Sequence, residues 1–150
     1  METQTQETAH NKLTVYGELR ALDFDREKCT EIMQQMKSDE KDFRIDDGNA
    51  EYRFIHTDEI DSIQKEELLS DLYVLGNFTP WFIADITGLD MDTIEKAQKS
   101  ESFELLGALM AKNIDEVQEN YSRTDGYGHH FAIYDGQENE AGNYYVFRTN

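Results

Sequence analysis

The apolar residues of this chain change their spacing twice, from a helical period to alternation and back, and then return to alternation at the C-terminus. From Asp25 to about Ser38, Cys29, Ile32, Met33 and Met36 recur three or four residues apart, with Asp23 or Asp25 placed to cap the segment. The period then falls to two. Phe43 and Ile45, the turn Asp47-Gly48-Asn49, and Tyr52 with Phe54 predict a β-hairpin over about 42–56.

From Thr57 to about Tyr121 the spacing is helical again. Thr57 or Asp58 caps a segment carrying Ile60, Ile63, Leu68, Leu72 and Leu75, stopped by Gly76-Asn77. Thr79 then precedes Pro80 at a first helical position, with Phe78 able to staple against Ile83. Gly88 ends that helix and Asp90 opens the next. Ser100 or Ser102 opens another, with Phe103, Leu106, Leu109 and Met110, and Asp115 to Tyr121 follow a break at Asn113. At the end, the stretches 131–135 and 143–148 flank the polar loop 136–142, so a second hairpin is expected over about 130–148. Residues 13–22 fit neither period. The expectation is an α+β domain over 13–150: a small antiparallel sheet from two hairpins, packed against a central helical block at about 57–121. Residues 1–12 read as a frayed polar terminus.

Eight Phe, eight Tyr and one Trp give 150 residues enough buried area for a core. No secretory leader and no apolar run long enough for a bilayer is visible, and Cys29 has no second cysteine to pair with. A reducing, cytoplasmic setting is the expectation, with Cys29 buried as a small hydrophobe.

Charge sets the functional reading. There are 32 Asp and Glu against 14 Lys and Arg, a net −18. The balance is about −5, −7 and −6 over successive fifties, so the excess belongs to the whole surface and not to a tail. Such a surface repels nucleic acid and anionic membrane and steers basic proteins inward. The densest acidic stretch is 57–71, where Asp58, Glu59, Asp61, Glu66, Glu67 and Asp71 oppose Lys65 alone. Carboxylates three or four apart on a helix lie at the spacing of a phosphate backbone, so these six are the candidate partner-binding acids and a candidate nucleic-acid mimic.

A second cluster is Arg123-Thr124-Asp125-Gly126-Tyr127-Gly128-His129-His130, in which Tyr127, His129 and His130 are candidate contact residues. Read at the entry to a strand, His129 and His130 point to opposite faces and do not share a metal. His10 and His56 are isolated in sequence. Calcium loops fail: Lys28 stands where a loop beginning at Asp23 needs glycine, and Gln34 where it needs a bidentate acid. No phosphate-binding glycine loop, nucleophile elbow or paired-cysteine zinc pattern occurs. No catalytic residue, metal or cofactor is assigned.

Residues 80–99 resemble a helix-turn-helix unit. Ala84 matches the small residue of the first helix, Gly88 the turn position four later, and Ile94 the apolar contact ten later, with Ile83, Leu89 and Ala97 facing the core. The resemblance implies a second helix that reads the major groove. Here that helix offers Asp90, Met91 and Asp92 in its first turn, where the family has base-reading side chains. In size, charge and want of a catalytic motif, the chain looks like the small acidic inhibitors of phages and mobile elements, of anti-restriction or anti-CRISPR type. It is similar in the same way to immunity proteins that neutralise basic nucleases. The leading expectation is therefore a non-enzymatic monomer or weak dimer that binds a basic, nucleic-acid-handling protein. A helix-turn-helix regulator and an enzyme centred on His129 and His130 are the alternatives.

Overall fold

The computed structural model describes residues 14–150. The proposed frayed terminus and His10 lie outside the described residues. Eight helices and one four-stranded antiparallel sheet are seen among them, the α+β class expected. The helices are α1 (14–21), α2 (Arg26–Lys37), α3 (Ile60–Leu69), α4 (Leu72–Gly76), α5 (Pro80–Thr87), α6 (Met91–Lys99), α7 (Phe103–Ala111) and α8 (Ile114–Phe131). The strands are β1 (Asp42–Asp47), β2 (Ala50–His56), β3 (Asn139–Ala141) and β4 (Tyr144–Arg148), in the order β1-β2-β4-β3. Contacts divide the chain into two compact units, one of residues 1–60 with 127–150 and one of residues 61–126.

The first unit holds the sheet. Both hairpins turn on Gly-Asn: Asp47 faces Ala50 across Gly48-Asn49, and Ala141 faces Tyr144 across Gly142-Asn143. Gly48 and Gly142 take φ of 64° and 60°, the left-handed first position that a two-residue turn of this kind demands. One sheet face carries Phe43, Ile45, Phe54, Ala141, Tyr144 and Val146, buried with Leu19 of α1, Phe24, and Cys29 and Ile32 of α2. Phe43 and Phe54 are cross-strand partners whose rings stack with centroids 5.0 Å apart. On the reverse face, Arg53 grips Asp42 through two hydrogen bonds of 2.9 and 2.7 Å. Its guanidinium lies over the Phe131 ring at 5.1 Å, and Phe131 in turn meets Phe147. Cys29 is buried as expected; its thiol donates to the Phe24 carbonyl, and burial pushes its pKa up.

The second unit is helical, around Leu68, Leu75, Ile83, Ile86, Ile94, Leu106, Met110 and Val117. Its tightest packing joins α4 to α7 through reciprocal glycines. A methyl group on Gly76 would stand 1.8 Å from the Phe103 carbonyl oxygen, and one on Gly107 would stand 1.8 Å from that of Leu72. Only bare backbone fits there.

The structure completes or corrects the sequence reading at several places. Residues 14–21, left open, are helical. The single helix expected from Thr57 to Leu75 is two: the chain breaks at Ser70-Asp71, and Asp71 recaps α4 by accepting the Val74 N–H at 3.2 Å. The stretch 131–135 is not a strand; Phe131 ends α8, and β4 pairs instead with β3. A short apolar run suits helix and strand alike, and α8 resumes for one more turn beyond the bend at Gly126 (φ 76°, ψ 168°). His129 and His130 consequently sit in the last turn of a helix, not at the entry to a strand. Phe78, placed as a staple for Ile83, packs against the core cluster that holds Ile83 and also meets the rings of Phe82 and Tyr121, each at 5.4 Å.

Candidate partner-binding surface

The six acids of 57–71 divide between the units. Asp58 and Glu59 lie in the first, in the turn that follows β2. Asp58 donates its backbone N–H to Nδ1 of His56 at 3.0 Å, with its carboxylate 3.6 Å from the same nitrogen. The remaining four lie in the second unit and have unequal duties. Asp61 accepts the Gln118 amide at 2.8 Å, and that amide also donates to Gln64 at 2.9 Å, so Asp61 anchors α3 to α8. Asp71 is a helix cap. Lys65 reaches across to Asp115 at 2.9 Å.

At about 100° per residue, Asp61 and Glu67 fall on opposite flanks of the buried Gln64–Leu68 stripe, and Glu66 faces outward. No two acids inside α3 are three or four apart, so α3 alone presents no carboxylate row at phosphate spacing. Three large apolar side chains lie at the surface at the end of this stretch and just beyond it: Leu69, Tyr73 and Val74 are 42%, 52% and 48% exposed.

Elsewhere four of the cations are spent locally. Lys28 pairs with Glu31, Arg44 with Glu51, Lys96 with Asp92, and Arg123 with Glu119, all at 2.6–3.0 Å. Each pair neutralises one carboxylate near its own helix or hairpin and leaves the larger acidic excess exposed to solvent. Glu51 also accepts the Thr149 hydroxyl; that bond first, and Arg44 second, hold its pKa below the usual carboxylate range.

The residues named as a contact cluster are brought together only in part. The Tyr127 ring meets that of Tyr145 at a tilt, with centroids 5.2 Å apart, and its N–H holds the Glu138 carboxylate. Burial first, and Glu140 second, raise the Glu138 pKa against that bond. His129 is exposed and His130 half-buried against Phe131. Among the described residues, no group of three or more His, Cys, Asp or Glu is placed to hold a metal. No described helix is long and apolar enough to cross a membrane.

Helix, turn and helix do occur at 80–99. Gly88 takes φ 78° and donates to the Ala84 carbonyl, Asp90 caps α6 through the Thr93 N–H at 2.8 Å, and Ile83, Ile86 and Ile94 are buried between them. Thr79 occupies the capping position of α5, although its hydroxyl makes no capping bond. Gln98 ties α6 back by donating to the carbonyls of Gly76 and Phe78. At the helix starts, where a DNA reader turns donors towards the duplex, this unit exposes Trp81 (57%) and Met91 (42%).

Sequence reasoning missed one concavity, a cleft of about 420 Å³ in the first unit. Glu18, Lys41, His56, Asn143 and Tyr144 line it. His56, which looked isolated, stands edge-on to Tyr144 at 5.0 Å, and with Nδ1 accepting from Asp58 its neutral ring carries the proton on Nε2. Glu18 accepts the Gly142 N–H at 3.0 Å, and the Tyr144 hydroxyl donates to the Glu40 carbonyl at 2.7 Å. No local signal joins residues 18, 41, 56 and 143, because only the fold brings them to one end of the sheet. No family model matches the chain, and neither a curated protein nor a solved structure matches it.

Proposed function

We propose that this chain is a non-enzymatic binding protein whose negative surface engages a basic protein, of the kind that handles nucleic acid, and thereby occupies that partner's basic groove. The observation that carries the reading is the disposition of charge. A net −18 is spread over both units, and five of the fourteen Lys and Arg (Lys28, Arg44, Lys65, Lys96 and Arg123) are already tied into ion pairs within the chain, which leaves the acidic excess uncompensated. That arrangement raises the association rate with basic surfaces and opposes approach to DNA. An inhibitor from a phage or mobile element, acting on a restriction or RNA-guided system, has this profile, and so does an immunity protein against a basic nuclease.

The test is capture from a nuclease-treated lysate of its native cell at low and moderate salt, with the retained proteins identified by mass spectrometry. One basic nuclease, recombinase or defence protein, released as salt rises, is the expected result. Retention of acidic proteins only, or of nothing, would remove the reading.

The αL glycine and three-residue turn at 88–90 favour one alternative, a regulator that uses α5 and α6 on DNA. It requires α6 to meet phosphate with Asp90, Asp92 and Glu95, of which Asp92 is paired with Lys96 and Asp90 caps the helix, so its affinity would lack the usual cationic contribution. A low-salt gel shift of genomic fragments decides it: a shift abolished by Ala84→Trp would support the regulator, and no shift would eliminate it.

A further inference from the structure

We infer that the corner between α3 and α4 is the apolar centre of the docking surface, and that its occupant is a basic protein face presenting an apolar side chain among lysines or arginines. The inference rests on the binding reading above and localises it. Within six consecutive residues Leu69, Tyr73 and Val74 keep 42%, 52% and 48% of their surface in water. Leu75 fills the core position of α4, and Gly76 makes the backbone contact with α7; Tyr73 meets the Phe103 ring at 4.7 Å and keeps about half its surface in water.

An exposed aromatic flanked by aliphatics, held on rigid backbone, is the composition of an interface hot spot. The rigidity is built in, because the Gly76 and Gly107 approach locks α4 on α7 before any partner arrives. Charge selects the occupant. Glu66, Glu67 and Asp71 lie in the same stretch, Glu104 follows Phe103 in sequence, and Lys65, the nearest cation in the chain, is paired with Asp115. A second copy of this chain would set those carboxylates against their own images, a like-charge juxtaposition that an interface avoids. A basic face neutralises them.

The test uses the full 15N-labelled chain and a synthetic amphipathic helical peptide of lysine and leucine, at about 0.15 M salt, where surface charges more than about 8 Å apart are screened. The largest amide shifts are expected at residues 66–74. Tyr73→Ala should weaken the peptide about tenfold, and Leu105→Ala, at another exposed leucine, should change it less than twofold; circular dichroism confirms that both variants are folded. Binding with shifts centred elsewhere, or binding indifferent to Tyr73→Ala, would overturn this site and leave the acidic-binder reading standing. If the peptide fails to bind even at low salt, both fall. Tyr73→Phe separates packing from folding loss: it should bind within about twofold of the unaltered chain.

Discussion

At the scale of single residues, the chain is rich in carboxylates with defined jobs. Arg53 is the clearest cation. It is 9% exposed, chelates Asp42 and covers the Phe131 ring, so Arg53→Ala leaves Asp42 unpaired and the ring uncovered. A loss of about 2 kcal/mol in urea unfolding is expected, below the range for a fully buried pair because Asp42 keeps about a third of its surface in water. Glu51 makes a pH statement. Its depressed folded pKa contributes stability that is present above the ordinary carboxylate range and lost as pH falls through the lower folded value. An NMR titration should therefore find Glu51 protonating below the usual glutamate range, and Thr149→Val should move it back up. Tyr121 behaves in the opposite direction at the alkaline end. Burial first, and Asp125 second, push its hydroxyl up to about 12. The unfolded chain releases that proton near pH 10, so stability falls between about 10 and 12, and absorbance at 295 nm should show a tyrosine titrating well above the usual range that Tyr121→Phe removes. None of these three roles was legible beforehand, whereas the burial of Cys29 was. Arg53 and Asp42 are eleven apart in sequence, and the hairpin register that makes them neighbours specifies no side-chain chemistry in advance.

At the scale of elements, the reciprocal glycines of α4 and α7 and the Gly-Asn hairpins matter most. Gly107→Ala should separate α4 from α7 or deform both, at about 3 kcal/mol, since the obstructing atom is backbone carbonyl and not a side chain that can turn away. Thermal unfolding measures it, and an unchanged melting temperature would show that the two helices are not held at this distance. The first hairpin, α2, α5 and α6 were readable because their apolar periods, glycines and caps agree. The segment 131–135 was not readable, since five residues of mixed size satisfy either period and only the bend at Gly126 tells the helix to resume. The division of α3 from α4 was hidden for a related reason: Leu68, Leu72 and Leu75 keep a helical spacing across Ser70-Asp71, and the break shows only in the recapping by Asp71.

At the scale of the whole molecule, like-charge repulsion works against compactness, so added sodium chloride should raise the melting temperature through the first few tenths molar as the charges are screened. The α+β class and the acidic excess were plain in the sequence. The cleft at His56 was not, and neither was the exposed apolar corner, because solvent exposure is decided by which face of each helix its neighbours cover. What links these levels is the claim that negative charge, with an apolar centre at Leu69, Tyr73 and Val74, draws in a basic partner. Its most direct measurement is the association rate constant with the captured partner as a function of ionic strength, by stopped-flow fluorescence of Trp81. A rate that falls steeply as salt rises, with the dissociation rate increased by Tyr73→Ala, is the expected result. A rate indifferent to salt would contradict it.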